Sequence, residues 1–274
     1  LFYYNKIISK YFNKIKFEKT LSDVREFNNV SPIFIIGLPR SGSTLVESII
    51  GAAENDIFSL GETSIFNTSI LNQIKNQIFQ KNFEIEKYVL SINVSKLKKN
   101  IINRYQIYLP KNNKKIFFID KSLENFFNIE SILSVFPNAK FINTKRNYKD
   151  SAIAIYQAML PDLPWTHSFS DILNYMDNYI KIMSFFEKKY SNQVLTIDLE
   201  QLTNNKEFYS KKLLKFCNLS WSPEILKFYK KKGLIVKTLS NTQLRDQITP
   251  YNQNKYKVYK KLLENFTNEY DWLK

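Results

Sequence analysis

The sequence predicts an α/β protein in which helices cover both faces of a central, mostly parallel sheet. Three observations support this class. Short apolar runs of strand length recur along the chain, longer helical patterns separate them, and a glycine-bounded turn follows the first run. Strands that alternate with helices and are covered on both faces are typical of three-layer folds with a parallel sheet.

The length and composition indicate a globular chain with a large core. Of the 274 residues, 44% are hydrophobic and 15% are aromatic, which excludes full disorder and allows one or two domains. The single cysteine, Cys217, excludes an internal disulfide, and we interpret it as a small buried hydrophobic residue.

The net charge of +15 indicates an anionic partner. Nucleotides, sulfated or phosphorylated substrates, nucleic acid and acidic membranes all satisfy this condition. The cations are scattered and mostly lysines, so a specific nucleic-acid partner is not expected. Arginine has a planar fork that matches phosphate and sulfate. The few arginines are therefore informative: Arg25, Arg40, Arg104, Arg146 and Arg245.

The predicted elements follow in chain order. Residues 1–31 show helical spacing and are expected to form an N-terminal helical extension, and residues 32–274 are expected to form one domain. Four apolar runs are predicted as strands: 33–36, 116–119, 141–144 and 194–197. Helices are predicted over 43–53, 66–80, 84–107, 125–136, 149–159, 171–189, 206–217 and 223–232. The last of these begins at a proline and stops before a glycine.

The chain carries no recognisable membrane or secretion signal. No apolar run approaches the ~20 residues that span a bilayer. The start at Leu1 lacks the charged, apolar and small-residue pattern of a signal peptide. A cytoplasmic location is therefore expected.

The turn after the first predicted strand carries the strongest functional signal. Residues 37–44 read GLPRSGST and precede a predicted helix. Such a turn points backbone N–H groups and the helix dipole at one place, which favours an anion. The spacing fits the ATP-binding P-loop, except that Ser43 stands where that loop requires lysine. A triphosphate would lose its main counter-charge, whereas a smaller anion can bind with Arg40. The expected fold is thus P-loop-like.

Residues 32–47 (PIFIIGLPRSGSTLVE) closely resemble the 5′-phosphosulfate loop of sulfotransferases. They are most similar to the bacterial branch that is often fused to tetratricopeptide repeats and is related to protein-tyrosine sulfotransferases. The resemblance implies 3′-phosphoadenosine-5′-phosphosulfate (PAPS) as the sulfuryl donor and no metal. It also implies that the sulfate end of the donor contacts Arg40, Ser41, Gly42, Ser43 and Thr44.

Two further segments resemble the catalytic motifs of the family. Residues 61–63 (GET) match a segment whose glutamate deprotonates the acceptor, which implies Glu62 as the base. Residues 120–122 (DKS) end a predicted strand, and the resemblance implies that Lys121 bridges donor and acceptor. Strand ends are where open α/β sheets bind ligands.

Residues 136–146 (FPNAKFINTKR) are the second close match, and they imply that Arg146 grips the 3′-phosphate of the donor. The family places a second phosphate ligand, a serine, eight residues later, where this chain has Ala154. Ser151, one helical turn earlier, is expected to take its place. Another departure is Leu199, which stands where the family has a tyrosine near the nucleotide.

The C-terminal part of the chain supplies the remaining expected contacts. Residues 236–245 resemble a Thr-x-Ser-x-x-Gln-x-Arg segment of the family, which implies that Ser240 assists at the transferring group. Gln243 and Arg245 are expected to cover the nucleotide, and Lys255 is expected to add a basic contact. His167, the sole histidine, lies far from these motifs and is predicted to be structural or on the surface.

Three alternatives to a sulfotransferase remain open at this point. The first is a P-loop kinase, which the missing lysine argues against. The second is a basic module that binds nucleic acid or acidic membranes with steep salt dependence. The third is an inactive family member, which the residues Ala154 and Leu199 keep open. For the active enzyme, the acceptor hydroxyl could belong to a protein tyrosine, a sugar, a lipid or a small metabolite.

Overall fold

The computed structural model describes residues 30–54, 57–78, 92–110, 116–230, 247–252 and 254–274. Most of the predicted N-terminal extension lies outside these residues. Ser240, Gln243 and Arg245 also lie outside them. The positions of these groups therefore stay predictions.

Five strands form one parallel sheet: β1 Val30–Gly37, β2 Ile57–Ser59, β3 Ile116–Asp120, β4 Lys140–Lys145 and β5 Val194–Asp198. Their order is β2-β3-β1-β4-β5, and every neighbouring pair is parallel. The predicted parallel sheet is thereby confirmed. β1 begins two residues earlier than the predicted domain, because Val30 pairs with Ile116. The sequence analysis missed β2.

Helices connect the strands, and they largely match the prediction. The α-helices are α1 Ser43–Gly51, α2 Ile65–Ile78, α3 Val94–Gln106, α4 Ile129–Val135, α5 Tyr148–Ala158, α6 Phe169–Lys189, α7 Leu199–Asn204 and α8 Lys206–Phe216. Short 3-10 helices cover Leu123–Asn128, Pro164–His167, Pro223–Lys230, Lys257–Phe266 and Asp271–Leu273. The predicted helix over 125–136 is thus a 3-10 turn followed by α4, and the one over 223–232 is 3-10 in its described part. α3 begins after Asn93, whose side chain accepts a hydrogen bond from the N–H of Lys96.

The alternating side chains of β1 divide the core into two layers. Phe34 and Ile36 face one layer, and Ile33 and Ile35 face the other, and all four are at most 1% exposed. The first layer is aromatic, and Phe34 stacks on Phe141 with ring centroids 5.5 Å apart. Because both faces of the sheet are covered, its central strands read as continuous apolar runs.

Cys217 belongs to the second layer and is 2% exposed, which confirms its interpretation as a buried hydrophobic residue. Burial raises the pKa of its thiol to about 12. Within the described ranges, no helix combines the length and the apolar character that crossing a membrane requires.

The topology fixes where a ligand can bind. In the central part of the sheet β1 lies between β3 and β4, and the chain leaves β1 toward β2 on one side and returns to β4 on the other. In open parallel sheets, the crevice at the carboxyl ends of strands beside such a switch point is the usual ligand site. The turn at 37–44 and the residues that follow β3 and β4 all lie at this edge.

Candidate functional site

The turn between β1 and α1 has a backbone that suits an anion. Gly37 and Gly42 have positive φ angles of 141° and 94°, and Arg40 also adopts a left-handed conformation, with φ 64°. A Cβ at Gly37 would lie 2.6 Å from the carbonyl oxygen of Thr144, so a glycine lets the ends of β1 and β4 approach closely. The turn therefore requires glycine at position 37, because a side chain there would clash with Thr144.

The Ser41 hydroxyl is turned into the protein. It donates to the carbonyl of Leu38 at 2.6 Å and lies 2.7 Å from the Thr144 hydroxyl, and the residue is 2% exposed. The side chain of Ser41 thus braces the turn, and only its backbone is left to contact a ligand.

The amino terminus of α1 is open to an anion. Gly42 provides no side-chain cap, and the first turn of α1 holds no acidic residue. The first N–H groups of a helix have no partner within the helix, and the dipole adds positive potential there. The expected anion cradle, residues 40–44, therefore has the required local structure.

Lys121 and Glu62 form a direct ion pair next to this cradle. The Nζ of Lys121 lies 2.7 Å from Oε1 of Glu62. The lysine side chain is 1% exposed, whereas the glutamate side chain is 57% exposed. The predicted base is accordingly open to solvent on one side and held by a buried ammonium group on the other.

The strand that the sequence analysis missed holds this pair together. β2 continues beside β3 beyond its end, where Leu60 donates to the carbonyl of Ile119 at 2.9 Å and Lys121 donates to that of Gly61 at 2.8 Å. These two backbone bonds place Glu62 beside Lys121, although 58 residues separate the two in sequence.

A buried carboxylate, Asp120, stabilises the segment that carries Glu62. It is fully buried and accepts hydrogen bonds from the hydroxyls of Thr63 and Tyr105, both at 2.6 Å, and from the N–H of Ser122 at 2.8 Å. Burial, together with the charge of Asp120, raises the pKa of Tyr105 well above its ordinary value. Because Thr63 adjoins Glu62, this network restrains the base.

Glu47 connects the cradle to the ion pair. It lies on α1, one helical turn after Ser43, and its Oε2 is 3.7 Å from the Nζ of Lys121. Ser59, at the end of β2, donates a hydrogen bond to its other oxygen. The structure thus brings the predicted groups Lys121 and Glu62 close to the cradle, as a shared site requires.

Arg146 marks the second end of the site. It follows β4, is 6% exposed, and donates from Nη1 to the carbonyl of Arg40 at 3.2 Å. Its guanidinium carbon lies 4.9 Å from the ring centroids of both Tyr251 and Tyr256. Two aromatic rings and one carbonyl therefore hold the predicted phosphate ligand beside the cradle.

Tyr251 is a site residue that the sequence analysis missed. Its hydroxyl accepts from Nε of Arg146 at 3.0 Å and donates to Oδ2 of Asp150 at 2.6 Å. Burial, with the hydrogen bond to Asp150, raises its pKa. Burial has the same effect on the pKa of Tyr256, but Arg146 and Lys255 outweigh it and lower that pKa below the ordinary value.

The cradle and the surroundings of Arg146 line one cavity of about 480 Å³, a size typical of small-molecule sites. Leu199 and Phe228 give it an apolar wall. Other lining residues include Arg40, Gly42, Ser43, Thr44, Arg146, Thr203, Tyr251, Lys255 and Tyr256. Six of the predicted donor contacts thus line the same cavity: Arg40, Gly42, Ser43, Thr44, Arg146 and Lys255.

Six predicted or discussed residues of the described structure are not among the lining residues: Ser41, Glu62, Lys121, Ser151, Ala154 and His167. Ser151 is 1% exposed and its hydroxyl has no hydrogen-bond partner in the described structure. Ala154 is buried in the core. His167 is exposed on a 3-10 helix, where its Nε2 lies 3.1 Å from the carbonyl oxygen of Leu160, in agreement with a structural or surface role.

The fold and the site together define an α/β protein of the P-loop-like class. Its anion cradle lies at a helix amino terminus, and Glu47, one helical turn further along that helix, is 3.7 Å from the lysine of the Lys121–Glu62 pair. Sequence comparison then names the family. Residues 32–223 match the model of the sulfotransferase family, and the chain belongs to that family.

One relative is similar over most of this chain. An uncharacterised protein of Aquifex aeolicus (strain VF5) is 32% identical over 243 residues; the match covers 85% of this chain but only 31% of that protein. The chain therefore spans about a third of the length of this relative.

Solved structures show the same fold. The sulfotransferase domain of the Synechococcus PCC 7002 olefin synthase has a TM-score of 0.59 at 13% identity, covering 88% of this chain and 95% of that domain. Sulfotransferase STF9 from Mycobacterium avium has a TM-score of 0.52 at 12% identity, covering 97% and 81%. The predicted fold is confirmed by these structures and the predicted family by the match over residues 32–223, and the link to tetratricopeptide repeats stays a prediction.

Proposed function

We propose that this chain transfers a sulfuryl group from PAPS to an acceptor hydroxyl. The observation that carries the proposal is the 2.7 Å contact between Lys121 and Glu62, which Glu47 connects to the helix that begins at the anion cradle. Membership of the sulfotransferase family supports the same reaction.

The residues present suit the donor. The cradle at 40–44 would hold the 5′-phosphosulfate, because an uncapped helix terminus and Arg40 favour a small anion. Arg146 and Lys255 would hold the 3′-phosphate, and the apolar wall at Leu199 and Phe228 suits the base. The roles of Ser151, Ser240, Gln243 and Arg245 at the donor stay part of this proposal.

The reaction follows from this placement. The acceptor oxygen attacks sulfur in line, a new O–S bond forms, and the bond from sulfur to the 5′-phosphate oxygen breaks. The leaving phosphate keeps the electron pair, and the hydroxyl proton moves to Glu62. Lys121, Arg40 and Ser240 stabilise the developing charge, and removing one such preorganised donor costs about 10²–10³ in rate.

The acceptor enters from the Glu62 side. This carboxylate is 57% exposed, so a hydroxyl can reach it without opening the core. A hydroxyl on a large molecule is compatible with this exposure, and a tyrosine of a protein is the narrower acceptor that we propose. Sugar, lipid and small-metabolite hydroxyls are the competing acceptors.

The proposed reaction uses no metal and takes place in the cytoplasm. A sulfuryl group carries less charge than a phosphoryl group, so amides and cations can neutralise it. Turnover is therefore expected to be unchanged by EDTA. The charge of +15 is assigned to the anionic donor, and no specific nucleic-acid partner is proposed.

Binding and transfer assays test the proposal. The product nucleotide, 3′,5′-adenosine bisphosphate (PAP), is expected to bind without Mg²⁺ in calorimetry, and more tightly than Mg²⁺–ATP. With ³⁵S-labelled PAPS, label is expected to move to a tyrosine peptide or a simple phenol. The variant K181A, a change of a 72% exposed lysine on α6, serves as the matched control for variants of Lys121.

Other results would favour the competing functions. Tight, Mg²⁺-dependent ATP binding without PAP binding would indicate a kinase. Binding of DNA, RNA or anionic vesicles with a steep salt dependence, and of no nucleotide, would indicate a basic binding module. PAP binding without transfer to any acceptor would indicate an inactive member of the family.

A further inference from the structure

Glu47 is a buried acid that no motif explains. It is 4% exposed, and its Oε2 has no hydrogen-bond partner in the described structure. Its closest charged neighbour is Lys121, whose Nζ is 3.7 Å from that oxygen, and Ser59 binds the other oxygen. Burying an acid with an unsatisfied oxygen is costly unless a nearby charge offsets it. Glu47 therefore has a function other than packing.

Lys121 lies between two acids of different accessibility. Its ammonium group has three donors. Glu62, which is exposed, receives one of them at 2.7 Å, and buried Glu47 faces the same group at 3.7 Å. The two acids leave one of the three donors available, so the lysine can contact both acids and a third group.

The two acids behave differently during the proposed reaction. When Glu62 accepts the hydroxyl proton it becomes neutral, and its attraction for the lysine falls. Glu47 takes no part in that proton transfer and remains next to Lys121. It also lies on α1, the helix whose first turn forms the anion cradle.

We propose that Glu47 is a positioning residue that holds the ammonium group of Lys121 in line with the anion cradle while the sulfuryl group moves. The proposal rests on the proposed function. The contact from Ser59 fixes the rotamer of Glu47 and thereby the place of the lysine. Burial raises the pKa of Glu47, and the charge of Lys121 opposes that rise.

A double-mutant cycle tests this role. The four proteins are wild type, E47Q, K121A and E47Q/K121A, assayed with a phenol acceptor over a range of PAPS concentrations that reaches saturation. E47Q is expected to lower kcat by about tenfold and to change the KM for PAPS by less than about twofold. In the K121A background, E47Q is expected to change kcat by less than about twofold, because the group that it positions is absent.

Two results contradict the proposal. One is an unchanged kcat in E47Q, and the other is the same loss in both backgrounds, which would indicate a general structural effect. If E47Q does not fold, the variant S59A replaces it in the cycle, because it leaves the acid in place but frees its rotamer. An unfolded protein is recognised from its circular dichroism.

The unfolding equilibria of the same four proteins give a readout that needs no turnover. The two changes are expected to be non-additive by at least about threefold in the unfolding constant, since Glu47 loses its counter-charge in K121A. Additive effects contradict the ion pair. A wild-type protein that transfers no sulfuryl group would instead contradict the proposed function, so the two failures are distinguishable.

Discussion

The two ends of the proposed donor site are built in different ways. The proposed sulfuryl end, formed by residues 40–44, Glu62 and Lys121, lies on the turn after β1 and on the ends of β2 and β3, which backbone hydrogen bonds join. The proposed 3′-phosphate end, formed by Arg146, Tyr251, Lys255 and Tyr256, combines the end of β4 with a C-terminal segment whose described residues add no strand to the sheet.

This difference separates the groups proposed for sulfuryl transfer from the groups proposed for donor binding. The sheet holds the groups that we propose to act on the transferring sulfur, and preorganisation of this kind lowers the barrier. The described residues of the C-terminal segment hold Arg146 by side-chain contacts, so we expect this segment to set the affinity for the donor. Changes at the sulfuryl end are therefore expected to alter turnover, and changes at the 3′-phosphate end to alter binding.

The largest effect is expected for Lys121→Ala. Loss of its ammonium group is expected to lower kcat by about 10²–10³ and to change PAP affinity by less than about threefold. Timed assays of ³⁵S transfer measure kcat and calorimetry with PAP measures the affinity, with K181A as the control. Near-wild-type turnover would remove Lys121 from the chemistry, and a matching loss of affinity would erase the distinction between the two ends.

The second effect is expected for Arg146→Ala. Losing the charged hydrogen bonds to the 3′-phosphate is expected to weaken PAP binding by about 10²-fold, at roughly 1.5–3 kcal/mol for each bond. Affinity for 5′-AMP, which lacks that phosphate, is expected to change far less. Arg146→Lys keeps the charge but loses the fork, so an intermediate loss is expected.

Equal losses for the two nucleotides in calorimetry would show that Arg146 does not read the 3′-phosphate. A fall in kcat at saturating PAPS would place Arg146 at the sulfuryl end instead.

The same contrast explains how far the sequence could predict the structure. Four strands and the cradle were predictable because apolar runs and glycine spacing are local signals. β2 was not, since its three residues are a strand only through pairing with β3, far along the chain. Tyr251 was not, because its contact with Arg146 spans 105 residues and no local pattern encodes it.

Glu47 could be predicted only in part. The sequence analysis quoted Glu47 as the last residue of the first motif but gave it no function, because its contact with Lys121 forms only when α1 packs against β1 and β2. For the same reason, the sequence could name Glu62 and Lys121 by resemblance, yet could not show the backbone bonds that join them.

The third effect is expected for Gly42→Ala, which strains the sulfuryl end. At φ 94°, a Cβ would lie 2.6 Å from Cδ1 of Leu199, and a non-glycine residue in such a conformation costs of order 1–3 kcal/mol. The variant is expected to lose about that much stability in urea unfolding. The double variant G42A/L199A removes the clash but not the backbone strain, so partial recovery is expected. Full recovery would show that contact, and not φ, requires the glycine.

A smaller effect is expected for Tyr251→Phe, which tests whether the C-terminal segment acts through Arg146. Loss of its hydroxyl removes one hydrogen bond to a charged group, and the preference for PAP over 5′-AMP is expected to fall by about fivefold. Tyr259→Phe, a change of a 45% exposed tyrosine in the same segment, is the matched control. A loss that is equal for both nucleotides would mean that Tyr251 only packs against the base or the sugar.

The smallest effect is expected for His167→Ala, which tests whether Glu62, and not the histidine, is the general base of the proposed reaction. His167 is exposed, does not line the cavity, and contacts only a carbonyl oxygen of its own loop in the described structure. Turnover is therefore expected to stay within about twofold of wild type, while Glu62→Gln is expected to lower kcat by about 10²-fold, at the lower end of the range for a general base. A pH profile of kcat that is unchanged in H167A supports Glu62. If H167A instead lost turnover and E62Q retained it, the proton acceptor would lie outside the strand ends, and the sheet would no longer account for the chemistry.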